Sequence, residues 1–166
     1  MKTGVRASWR RPGPPPRVFS ASILVRTNPH LQGRKPLSRV ALVLNGLILT
    51  MIGVRAMLTP AAFLGQYGIE LPSAMALAGA RSIHGGGFGA LAILMWLGLL
   101  RTRLRIPALS AAAFVMLGLA LGRLVGIVVD GATDSTTLVA TVGEALLGGL
   151  AVVALMRENA ATSAAN

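Results

Sequence analysis

Long apolar runs broken by short polar punctuation set the pattern of this chain. Four runs, at about 40–59, 74–100, 106–129 and 138–156, each approach or exceed the length a helix needs to cross a hydrocarbon core about 30 Å thick, at about 1.5 Å per residue. Pro60 ends the first run, because proline brings no N–H to the helical ladder and pushes its predecessor out of helical conformation. Residues Pro60 to Pro72 carry no Lys or Arg and hold Tyr67, a residue that favours the headgroup level, so they predict a short interfacial helix and a loop. Ser73 is the expected N-cap of the second span, with Trp96 at that span's far interface. Pro107 suits the first turn of the third span. Asp130-Gly131-Ala132-Thr133-Asp134-Ser135 predicts a tight polar turn, and residues 157–166 a frayed, disordered C-terminal tail.

Composition agrees with spans rather than with a soluble core: 54% of the 166 residues are hydrophobic and 13% charged, with a mean hydropathy of +0.68. A formal net charge of +11 would suggest nucleic acid if it were spread over a folded surface. It is not spread. More than half of the 16 Lys and Arg residues precede Val40, and Arg101, Arg103 and Arg105 share one connection. That clustering is the cytoplasmic excess of positive charge typical of membrane proteins, so the expected partners are membrane lipids and not nucleic acid. Residues 1–39 contain no acidic residue and include Pro12-Gly13-Pro14-Pro15-Pro16, which predicts a disordered basic tail. With four spans, 40–156 becomes one all-α transmembrane bundle with the tail, the Arg101 to Arg105 loop and both termini in the cytoplasm.

Charge inside the spans supplies the candidate chemistry. Arg123 and Glu144 each fall about 10 Å below the turn between the third and fourth spans, so the two can meet. Arg81 lies about 12 Å down the second span from the same side, and Arg55 about one turn above Pro60 on the first. His84, three residues after Arg81, shares its helical face a little deeper. A charge at mid-membrane is costly, about 2.5 to 3.5 kcal/mol on insertion scales, so such residues face the bundle interior. One reading is an ion pair that pins the third and fourth helices in register, with no ligand. The other starts from three Arg against one Glu, an excess that wants a lipid phosphate, a quinone oxygen or a small anion. The candidate ligand-binding residues are therefore Arg81, His84, Arg123 and Glu144. Gly85, Gly86 and Gly89, and the ridge Gly118, Gly122 and Gly126, are expected at close helix contacts, with Asn45 as an interhelical hydrogen-bonding position. No catalytic residue and no metal site is expected: the chain has no Cys, and its second His, His30, is in the tail.

Three motifs occur in order: Ala80-Arg81-Ser82-Ile83-His84-Gly85-Gly86, then Leu121-Gly122-Arg123-Leu124-Val125-Gly126 with Asp130-Gly131, then Glu144. Over about Val40 to Met156, together with Pro60-Ala61-Ala62-Phe63, the chain resembles the bacterial integral membrane family called domain of unknown function 4345. The resemblance implies a small four-helix protein of a bacterial inner membrane, more distantly similar to DoxX-type proteins, and brings no established activity. The function expected from all of this is non-enzymatic or accessory, with a polar pocket in the outer half that takes an anionic or carbonyl-bearing lipid-like ligand. The alternative is a quinone-linked or redox-associated subunit, in which His84 or Glu144 moves a proton. No cofactor is required by the sequence.

Overall fold

In a computed structural model, residues 35–163 are described, and all of the regular structure among them is helical. Helix α1 spans Lys35–Leu58, α2 is the short Pro60–Gly65, α3 runs from Ala74 to Leu100, α4 spans Thr102–Asp130 and α5 Ser135–Ser163. Within α3 the segment Arg81–Gly87 is a π-helix flanked by α-helical turns. The four long helices are long and apolar enough to cross a membrane, at 24, 27, 29 and 29 residues.

The helix ends follow the punctuation in the sequence. The Ser73 hydroxyl accepts the Ala76 N–H at 3.1 Å, the expected cap of α3. Gly131 adopts the left-handed conformation (φ 69°), and the Gly131 and Ala132 N–H groups reach back to the Gly126 carbonyl, which closes α4. Four residues later α5 is under way, capped by Asp134, whose carboxylate accepts the Thr137 N–H at 2.9 Å and its hydroxyl at 2.7 Å.

Two boundaries differ from expectation. Helix α1 begins at Lys35 rather than near Val40, because Leu37, Ala41 and Leu42 already carry its buried stripe into the core. Helix α5 continues to Ser163, through residues expected to fray after Met156. Glu158 anchors that extension by reaching Arg105 on α4 at 3.6 Å. The disorder expected for residues 1–34, and for the last three residues, lies outside the described residues.

The helices follow one another around the bundle, with α4 against α5, α3 against α1 and α4, and α1 against α5. We call the end holding Lys35, Leu100 and Ser163 the terminal end and the opposite one the distal end. The main core joins all four long helices through Ala41, Leu42, Leu49, Met95, Leu109, Met116 and Ala151. Asn45 donates to the Ala41 carbonyl of its own helix and, at 3.5 Å, to the Leu147 carbonyl of α5, the interhelical role expected of it. A smaller distal core joins only α1, α2 and α3, through Ala56, Phe63, Leu64 and Ala80. Helix α5 takes no part in it, and the gap between the two cores holds the site described next.

Glycine at the contacts is partly where the sequence placed it. A Cβ on Gly53 would meet the Gly89 backbone nitrogen at 2.9 Å, and one on Gly85 the Met57 backbone at 3.1 Å, so α1 and α3 touch main chain to main chain. Gly86 has no neighbour that close. The expected ridge Gly118, Gly122 and Gly126 is not a contact: Gly118 and Gly122 meet nothing within 4 Å, and Gly126 meets only its own helix's Asp130. The buried stripe of α4 runs instead through Ala108, Ala112, Met116 and Ala120. The glycines fall two residues out of step with that stripe and point away from the bundle. The Trp96 indole N–H bonds the Thr50 hydroxyl at 3.1 Å, tying α3 to α1.

Candidate functional site

Arg123 extends the buried stripe of α4, one heptad beyond Met116, and Glu144 stands on the stripe of α5 that continues through Gly148 and Ala151. The two therefore face each other across the hairpin. Arg123 Nε lies 3.1 and 3.0 Å from the two carboxylate oxygens of Glu144. The bonds to Glu144 use Nε alone, so the two terminal nitrogens lie outside the carboxylate pair, on the side of the guanidinium that the Tyr67 side chain also approaches. The guanidinium carbon sits 5.5 Å from the centre of the Tyr67 ring.

Two cavities meet at this pair. The first, about 370 Å³, lies between α1 and α5 and is walled by Ile48, Met51, Ile52, Val139, Ala140, Gly143 and Leu147, with Arg55 and Gln66 near its rim. Its wall residues Met51 and Val139 are themselves 51% and 73% exposed on the outside of the bundle, so this cavity opens sideways. The second, about 320 Å³, lies under α2 and is walled by Phe63, Leu64, Tyr67, Ile69, His84 and Phe88. Arg123, Glu144, Ile52, Phe63, Tyr67 and Leu119 border both. Each cavity is of the size that small-molecule sites usually have, about 300–1,000 Å³.

Of the four expected ligand-binding residues, the structure brings three together and sets one apart. Arg123, Glu144 and His84 share the second cavity. Arg81 does not: its Nε donates to the Met57 carbonyl at 3.1 Å, one of the last carbonyls of α1, near the break that Pro60 imposes. The expectation that Arg81 and His84 share a face assumed a regular α-helix. The π-helical turn is wider, with i→i+5 hydrogen bonds, and it separates the two in phase. Arg81 lines neither cavity and acts as a cap on α1. Arg55 is exposed at the rim of the first cavity.

The His84 ring lies 6.1 Å from both Phe63 and Phe88, and its Nδ1 is buried without a hydrogen-bond partner among the described residues. No group of His, Cys, Asp and Glu that could hold a metal occurs among those residues. Sequence reasoning assigned Tyr67 to the headgroup region and gave Phe63 and Phe88 no role. The available signal was scarcity: aromatic residues make up 4% of the chain, yet Phe63 and Tyr67 stand four apart beside a proline break. Arg105 and Glu158 were missed as a second pair on the same hairpin, at the terminal end.

No curated protein and no solved structure matches this chain. A family model does, across residues 37–155, which takes in all four long helices and both cavities. On that match the chain belongs to the family described as domain of unknown function DUF4345.

Proposed function

We propose that this multi-pass membrane protein is an accessory, non-enzymatic one whose distal cavities take an amphiphile from the bilayer by a head bearing an anionic or carbonyl oxygen. One observation carries the reading. Arg123 holds Glu144 through Nε alone and leaves its terminal nitrogens free of the carboxylate beside cavities with mainly apolar walls. Glu144 fixes the guanidinium and offsets its charge, while the free edge offers two N–H groups to an acceptor. The apolar wall formed by Ile48, Met51, Ile52 and Leu147 suits the ligand's chain, and the sideways opening suits entry from lipid.

Orientation and location follow the same reasoning. Arg39, Arg101, Arg103 and Arg157 cluster at the terminal end, and the distal connections hold no Lys or Arg between Leu58 and Ser73 or between Gly131 and Asp134. This favours cytoplasmic termini and a cavity in the outer half of the membrane, in a bacterial inner membrane. The test is native mass spectrometry of the detergent-extracted protein. The wild type should retain a lipid-like adduct that Arg123→Lys, which keeps a charge opposite Glu144 but loses the planar fork, releases. A wild type that carries no adduct as it leaves the membrane would refute the reading.

A further inference from the structure

The second cavity is walled differently from the rest of the bundle. The structure describes five aromatic residues, Phe63, Tyr67, Phe88, Trp96 and Phe114, and three of them line this one space. His84 adds a fourth flat ring, so that Tyr67, Phe63, His84 and Phe88 succeed one another at 5.9, 6.1 and 6.1 Å between centroids. These rings come from α2, from the segment just after it, from the π-helical part of α3 (His84) and from the first residue beyond that part (Phe88). Phe63 and Tyr67 also border the first cavity, whose other walls are mainly Ile, Leu and Met, whereas Phe88 and His84 belong to the second alone and complete its run of rings. Aromatic walls gain their extra contact energy from a partner with its own π-face.

The polar groups narrow the choice further. Neither nitrogen of His84 has a hydrogen bond among the described residues, and Nδ1 is sealed with no acceptor in reach. With Nδ1 sealed, Nε2 is the nitrogen through which the ring can meet a ligand. Arg123 supplies donors, through the terminal nitrogens that Glu144 leaves free. Arg123 and Arg55 outnumber Glu144 around the two cavities, which disfavours the quaternary ammonium heads that aromatic walls can otherwise hold.

We infer that the head of the ligand is an uncharged, planar, conjugated ring carrying two carbonyl oxygens, of the isoprenoid quinone class. Its ring lies against Phe63, Tyr67 and Phe88, one oxygen takes the Arg123 terminal nitrogens, the other takes His84 Nε2, and the tail leaves through the first cavity. The inference rests on the proposed binding function and adds no electron-transfer step to it.

The experiment is a pair of titrations of the detergent-purified full chain, one with a short-chain ubiquinone analogue and one with dioleoylphosphatidylglycerol, read by melting temperature and by equilibrium dialysis. The quinone should bind and raise the melting temperature. Phe88→Leu should weaken it roughly three- to tenfold while Phe88→Tyr restores binding, and His84→Leu should weaken it by a similar factor. Binding of the phospholipid alone would overturn the ring and leave the cavity reading standing. Binding of neither would overturn both, and unchanged affinity in Phe88→Leu would overturn the aromatic wall. Should a variant not fold, a photoreactive azidoquinone on the wild-type chain decides: the inference requires label on the Phe63 or Phe88 peptide, and label confined to outward-facing residues such as Phe114 contradicts it.

Discussion

Replacing Glu144 by Gln removes the negative member of the Arg123 pair and keeps its shape. Breaking a fully buried ion pair costs roughly 3 to 5 kcal/mol, because the surviving charge is stranded. Here the Arg123 side chain retains 25% exposure and that of Glu144 13%, and the cavity beside them lets water reach the guanidinium. The charge is thus only partly stranded, and the amide oxygen still accepts one hydrogen bond from Nε. We expect a loss of about 2 kcal/mol, within the range for hydrogen bonds to charged groups. For a chain of this size that is a fall of about 4 to 8 °C in melting temperature. Thermal unfolding in a mild detergent measures it, and a cycle with Arg123→Gln separates the pair from its surroundings. If Glu144→Gln melts with the wild type, or if the two substitutions add without coupling, the hairpin is not held by this pair and the fixed-guanidinium argument fails with it.

Four further outcomes are expected. Glu158→Gln should cost about 1 kcal/mol, less than Glu144→Gln, since its contact with the buried Arg105 is 3.6 Å, too long for a good hydrogen bond; a loss equal to that of Glu144→Gln would show that contact length does not matter. Arg81→Ala should lower the melting temperature modestly, by the loss of one partly exposed hydrogen bond of about 1 kcal/mol, and leave ligand retention unchanged, which native mass spectrometry checks. Gly98→Leu should destabilise by about 1 to 3 kcal/mol, because even a Cβ there would lie 2.5 Å from that of Ala108, whereas Gly122→Ala on the open face should be neutral or stabilising in thermal unfolding. The hydrogen bonds from Thr137 hold the Asp134 carboxyl below its ordinary value of 3.8. Its capping contribution is therefore complete above that value and disappears as pH falls through the lower folded one; Asp134→Asn should remove this component from the pH dependence of melting while still capping α5.

The reach of sequence reasoning here was set by geometry that a regular helix preserves. Arg123 and Glu144 could be matched because both lie about two turns from the same short turn, and a rise of about 1.5 Å per residue carries that equality into depth. Ser73 and Pro60 announced helix ends through backbone chemistry alone. Phase failed where the helix was irregular: the π-helical turn at Arg81–Gly87 parted Arg81 from His84, and nothing in a 3.6-residue period foretells it. Direction failed on α4, where the glycine series and the alanine stripe were both plausible contact faces and only the partner helices decided between them. Glu158 was hidden because a polar end reads as a tail until a buried Arg105 is known to need it. The aromatic wall was hidden because Phe63, Tyr67 and Phe88 are separated along the chain by a connection whose path the sequence does not state.

Because the first cavity gives onto the flank between α1 and α5, a guest need never leave oil for water to arrive or depart. Its occupancy then answers to mole fraction within the membrane sheet rather than to any aqueous concentration. Traffic becomes a problem of two-dimensional diffusion, and crowding by other lipids competes with it directly.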